Sequence, residues 1–71
     1  MEAPKTLEHW FTNVPAQTGR RDLYLRVNPA GPLWEIEARH AGRVSLTEYG
    51  SEAHARRILT NLLANGQWRR I

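Results

Sequence analysis

The stretch Ser51 to Asn65, SEAHARRILTNLLAN, constrains this chain more than any other, because the period and both ends of a helix are written into it. Ala55, Ile58, Leu59, Leu62 and Leu63 recur at i, i+3, i+4, i+7 and i+8, which sets them on one apolar stripe of a 3.6-residue period. Ser51 suits the N-cap, where its hydroxyl accepts from an otherwise unpaired backbone N–H. Gly66, following Asn65, suits the left-handed position that ends a helix. Such a stripe is stable only when covered, so the rest of the chain must supply an apolar surface. The outward face carries Arg56, Arg57, Thr60 and Asn61, and the same element is therefore a candidate basic surface.

The middle of the chain alternates as strands do. From Asp22 to Val27, Leu23, Leu25 and Val27 share one face and Asp22, Tyr24 and Arg26 the other. Asn28, Pro29, Ala30, Gly31 and Pro32 form a turn-rich connection. Leu33 to Arg39 then alternates with Trp34, Ile36 and Ala38 inward, and His40, Ala41 and Gly42 make a tight turn whose glycine serves a positive φ. A third strand, Arg43 to Tyr49, is predicted to bury Val44 and Leu46. Three strands joined by short turns make an antiparallel meander, with one apolar face of the size a single helix covers.

Before the meander, Leu7, Trp10, Phe11 and Val14 recur at i, i+3, i+4 and i+7 behind Pro4, which predicts a short first helix closed by Pro15. After Gly66, Trp68 and Ile71 are placed to fold back against either helix, with Trp68 buried. The expected fold is thus α+β, in the order α-β-β-β-α: a three-stranded antiparallel meander, a C-terminal helix packed on it, and a short N-terminal helix. The 71 residues make a single small domain, 1–71, and a chain of this size buries only about 60% of its unfolded surface. Ile58, Leu59, Leu62, Trp34 and Ile36 are the expected centre of the core.

Without cysteine, neither disulfides nor thiolate metal sites supplement that core, which points to a cytoplasmic setting. No apolar run approaches the roughly 18 residues of a membrane span, and MEAPKTLEHW lacks the regions of a signal peptide. The net charge of +3 is unevenly spread. Over residues 1–49, Lys5, Arg20, Arg21, Arg26, Arg39 and Arg43 cancel Glu2, Glu8, Asp22, Glu35, Glu37 and Glu48. Over residues 50–71, Arg56, Arg57, Arg69 and Arg70 oppose Glu52 alone. The preference for arginine over lysine suits bidentate phosphate or carboxylate recognition, and equally a codon preference.

Catalytic and metal constellations are weak. Glu35 and Glu37 share a strand face, as an acid–base pair would, but their cross-strand neighbours include Arg26 and Arg39, the pattern of an ordinary solvated sheet. His9, His40 and His54 lie on separate elements without ligand spacing, and no glycine-rich phosphate loop or nucleophile elbow is present. Trp10 and Trp34 are phased inward, leaving Tyr24 and Tyr49 as outward aromatics. The expected protein is therefore a binding module, with no enzymatic activity, cofactor, metal, small-molecule substrate or membrane partner. Its leading reading is phosphate contact with a DNA or RNA duplex through Arg56, Arg57, Arg69 and Arg70. The alternative is a protein-binding accessory factor or inhibitor of phage or plasmid type, docking on an acidic protein surface.

The expected order, with Leu7 and Glu8 in the first helix, Gly31-Pro32 between strands and Ser51 followed by Ala55-Arg56 opening the last helix, resembles the double-stranded RNA-binding domain. That resemblance implies phosphate contacts at the start of the last helix, where this chain has Glu52, Ala53, His54, Ala55 and Arg56 in place of a lysine cluster. The stretch from Trp34 to Ala55 also looks like the three-strand-plus-helix modules of plant AP2 domains and of integrase arm-binding domains. The implication there is a sheet face opposite the helix that enters the DNA major groove.

Overall fold

A computed structural model of the chain describes residues 3–14, 16–31, 33–64 and 66–71. Pro15, Pro32 and Asn65, read above as helix stop, turn residue and last helical residue, lie outside the described residues. The chain runs through β1 (Lys5–Thr12), a short 3-10 turn (Ala16–Thr18), β2 (Arg21–Asn28), β3 (Leu33–His40), β4 (Arg43–Tyr49), α1 (Glu52–Leu63) and β5 (Arg69–Arg70). All strand pairs are antiparallel, and the spatial order is β4-β3-β2-β1-β5.

The expected α-β-β-β-α order is therefore corrected. The sheet has five strands in place of three, and the N-terminal segment is β1 in place of a helix. The reason is a bulge. Between Thr6, opposite Arg26, and Glu8, opposite Leu25, β1 holds one extra residue, Leu7. Leu7 and Trp10 both pack against the core, so the bulge turns the two-residue strand period into a spacing of three that imitates a helix. Phe11 and Val14 complete the helical pattern only on paper. Phe11, opposite Asp22, lies on the other sheet face under the Arg20 guanidinium, and Val14 is exposed beyond the strand.

The helix forms where its caps and stripe place it. Ser51 is the N-cap, extended at φ −141°, and its hydroxyl accepts from the His54 N–H at 3.2 Å. At the other end Ala64 is the C-cap with ordinary helical angles, and positive φ among described glycines is confined to Gly19 and Gly42. Gly66 thus does not take the left-handed role expected of it. It lies instead against Trp68, whose indole Nε1 would sit 2.7 Å from a Cβ at that position.

The core is Leu23, Leu25 and Ile36 of the sheet against Ala55 and Leu59 of α1, with Leu7, Trp10, Trp34, Ile58, Leu63 and Trp68 packed around it. Ala55, wholly buried, presents a small side chain where helix and sheet meet. Leu62 was expected at the core centre but is 43% exposed, because the stripe is wider than the sheet surface beneath it. Val44 and Leu46 are also corrected. Opposite Arg39 and Glu37, they point away from the helix and are 63% and 53% exposed. Tyr49, opposite Trp34, lies on the helix face and meets His54 edge-on.

Candidate nucleic-acid interface

The hairpin registers sort the charges along the strands. Arg21 pairs with Thr12 on one side and His40 on the other, and His40 pairs with Arg43. In the adjoining row Phe11 lies between Arg69 and Asp22, and Asp22 is opposite Arg39. Arg20 directly precedes this end of β2. Among the described residues, Arg20, Arg21, Arg39, Arg43 and Arg69 thus lie toward one end of the sheet, where Asp22 bonds Arg20 and Glu37, two residues inward, bonds Arg39. The opposite end holds Glu35 and Glu48 in one row, Glu8 in the next and Glu52 at the start of α1, interspersed with Lys5, Arg26 and Arg56. An N-terminal two thirds that is neutral in sequence is polarised once folded.

Local geometry fixes this arginine end. Ala41 and Gly42 both have positive φ, at 52° and 76°, the two-residue turn whose twist matches flanking strands, and it holds Arg39 and Arg43 on adjacent strands. Gly19, at φ 80°, closes a turn onto the Ala16 carbonyl at 3.2 Å and delivers Arg20 and Arg21 to β2. A cleft of about 280 Å³ opens between Arg20, Arg39, Arg43 and the 40–42 turn. A second, of about 210 Å³, lies on the helix side between Arg21, His40, Leu62 and Trp68. The Arg21 guanidinium sits 5.5 Å from the Trp68 ring and donates to the Val14 carbonyl at 2.9 Å, while its buried Nε–H has no hydrogen-bond acceptor among the described residues.

Carboxylates hold part of this charge in place. Asp22 accepts two hydrogen bonds from Arg20, at 2.9 and 3.0 Å, and meets His9 Nε2 at 2.7 Å. The Arg20 bonds, against the opposing effect of burial and with help from His9, hold the Asp22 carboxyl below its ordinary range. Burial pushes Glu37 up, but hydrogen bonds from Arg26 (2.6 Å) and Arg39 outweigh it, and its pKa too is lowered. Between these two carboxylates Tyr24 is enclosed. His9 stacks on it at 4.0 Å, and the Arg26 and Arg39 guanidinia lie 4.5 and 4.8 Å from the ring centre. The centre of the open face is thus a self-satisfied stack of rings and ion pairs. Arg43 and Arg69 make no ion pair among the described residues, and Arg20 and Arg39 keep half of their side chains exposed.

The four arginines singled out in the sequence do not converge. Arg56 bonds Glu52 at 2.8 Å and reaches across to Glu8, so its charge is already compensated. Burial raises the Glu8 pKa, but hydrogen bonds from Trp10 and Arg56, together with the Arg70 charge, bring it below the usual value. Arg70, on the helix face, lies 6.0 Å from the Trp10 ring, whereas Arg69, opposite Phe11, is on the other face. Arg57 is exposed on α1 and makes no ion pair among the described residues. Of the four, Arg69 alone belongs to the arginine end. Sequence reasoning missed Arg20, Arg21, Arg39 and Arg43, although their signal was present: each lies within two residues of a strand end on the same side of the sheet.

Glu35 and Glu37 do not form an acid–base pair, since Glu37 is committed to Arg26 and Arg39. Among the described residues no three His, Asp or Glu side chains are grouped to hold a metal ion, and no helix is long and apolar enough to cross a membrane. Comparison with protein-family models, with curated proteins and with solved structures finds no match.

Proposed function

We propose that this domain is a nucleic-acid-binding module that grips backbone phosphates with the arginine end of its sheet. Arg43 and Arg69 make the primary contacts, Arg20, Arg21 and Arg39 flank them, and Arg57 and Arg70 add a more distant field. The observation that carries the reading is the gathering of five arginines toward one end of the sheet, of which Asp22 pairs Arg20 and Glu37 pairs Arg39, while Arg43 and Arg69 make no ion pair among the described residues. Arg43 and Arg69 stand on the two edge strands, with Arg20, Arg21 and Arg39 on or beside β2 and β3 between them, and each guanidinium suits bidentate contact with phosphate oxygens. The clefts beside them, of about 280 and 210 Å³, are too small for an extended apolar ligand, and the enclosed Tyr24 ring is not open to base stacking. The binding is therefore electrostatic, with slight sequence preference and no catalytic step.

The test is a titration with mixed-sequence DNA and RNA duplexes across a range of salt. Each phosphate neutralised on B-DNA contributes about 0.9 to the slope of log affinity against log salt. Replacing Arg43 and Arg69 together with Ala should lower that slope by about 2. Arg56→Ala should leave it nearly unchanged, because Glu8 and Glu52 already compensate that charge. Absence of binding to either duplex at low salt would refute the proposal and return the domain to its alternative, an acidic protein surface.

A further inference from the structure

One edge of the sheet is open to another strand. The seven residues of β4, Arg43–Tyr49, pair with β3 in an unbroken register. They include no proline or lysine and no bulge, the devices that ordinarily blunt a sheet edge. The opposite edge differs, for β5 is two residues long and β1 behind it is bulged. Arg43 to Glu48 are all exposed, with Val44 and Leu46 displayed on the face away from the helix. Because β4 is last in the strand order, its outer row of backbone N–H and C=O groups has no sheet neighbour among the described residues.

We infer that β4 pairs antiparallel with β4 of a second copy, about a two-fold axis at Ser45, to form a ten-stranded sheet. The register follows from the alternation. Residues directly opposite must share a face, so the axis passes through a residue and not between two. Centred on Leu46, the pairing sets Val44 against Glu48 of the second copy, an apolar side chain against a carboxylate. Centred on Ser45, it sets Val44 against Leu46 twice over, closing four apolar side chains across the axis, and Arg43 against Thr47.

Charge favours the same occupant. Arg43 stands at the arginine end of β4 and Glu48 at the carboxylate end, so antiparallel pairing lays the basic end of each copy beside the acidic end of the other. The contact is isologous and closes at two copies without propagating. It takes Arg43 into the interface, so phosphate contact by the dimer falls to Arg69, Arg20, Arg21 and Arg39, and Arg43 contributes to it in the monomer.

The experiment uses the whole chain, which has no native cysteine. Sedimentation over a concentration series should show twice the 8.2 kDa monomer mass at the upper end. Leu46→Lys, at an exposed position that leaves the monomer fold and its circular dichroism unchanged, should remain monomeric throughout. Ser45→Cys should form a disulfide-linked dimer under mild oxidation, since opposed residues bring Cβ atoms to about 4.5–5.5 Å. Thr47→Cys should not, because the two positions then lie about 13 Å apart along the strands. A native chain that stays monomeric at every concentration overturns the inference and leaves the edge to a strand of a different protein. Cross-linking at Thr47 in preference to Ser45 overturns the register.

Discussion

Leu59 and Leu62 offer the sharpest test of how α1 is seated, because they are the same residue on the same stripe, three positions apart. Leu59 is 3% exposed and Leu62 is 43% exposed. Truncation to Ala removes about three methylene equivalents, worth about 0.8 kcal/mol each on full burial, so the transfer loss at Leu59 is about 2.4 kcal/mol. A cavity cost adds to it there, because Leu25, Ile36 and Ala55 cannot close the gap without moving the sheet, and the total falls in the usual range of about 2–5 kcal/mol. At Leu62 nearly half the side chain already meets water and solvent fills the space, leaving about 1–1.5 kcal/mol. The change in helix propensity is the same in both and cancels. A domain of this length has a total stability of roughly 4–11 kcal/mol, so Leu59→Ala removes a large share of it. Urea denaturation of the two variants, at constant m-value, should give a loss for Leu59→Ala at least twice that for Leu62→Ala. Equal losses, or a larger one at Leu62, would refute the seating of the helix described here.

Other outcomes follow from the turns, the tail and the ion pairs. Gly66→Ala should cost about 1–3 kcal/mol by overpacking, because the added Cβ meets the Trp68 indole, and a shift in tryptophan emission should accompany it. Gly42→Ala should cost about 1–2 kcal/mol, since its φ of 76° is strained for any residue with a Cβ, and thermal melting will show it. Asp22, Glu8 and Glu37 have pKa values held below their ordinary 3.8, 4.5 and 4.5 in the folded chain. Their contribution to stability is therefore fully present above those ordinary values and is lost as pH falls through the lowered ones. Glu8→Gln should accordingly be less stable than the native chain near neutral pH, with the difference closing in acid. A difference that persists undiminished at the lowest pH would show that Glu8 acts through packing and not through its charge.

Much of the fold was legible in local pattern. The helix was marked by Ser51 and its stripe, the phases of β2 and β3 by strict alternation, and the β3–β4 turn by Gly42. The exception is β1, where a single inserted residue puts Leu7 and Trp10 on one face at a helical spacing. Periodicity cannot distinguish that from a turn of helix, because the difference lies in hydrogen bonds to β2 and β5. The site was hidden for a related reason. Arg20, Arg39, Arg43 and Arg69 are scattered in sequence, and only the registers collect them. Arg56 and Arg57 looked like the cluster because they are adjacent, but the sequence does not show that Glu8, 48 residues away, lies against Arg56.

The polarity of the sheet has a consequence for how far this protein's charge is felt. The arginine end and the row of Glu35 and Glu48 are four to five residues apart along the strands, about 15 Å at the rise of a β-strand. At physiological ionic strength the screening length is about 8 Å, so a phosphate at the arginines scarcely registers the glutamates beyond. Near 0.01 M salt that length grows to about 30 Å, and the same phosphate experiences the molecule as a whole, with its modest excess of +3. Dilution therefore strengthens each arginine contact while admitting the repulsion of the distant carboxylates. On the proposed function, removing Glu35 and Glu48 should tighten duplex binding in dilute buffer and change little at physiological salt, because the far end of the sheet would then act on low-salt association without touching the ligand.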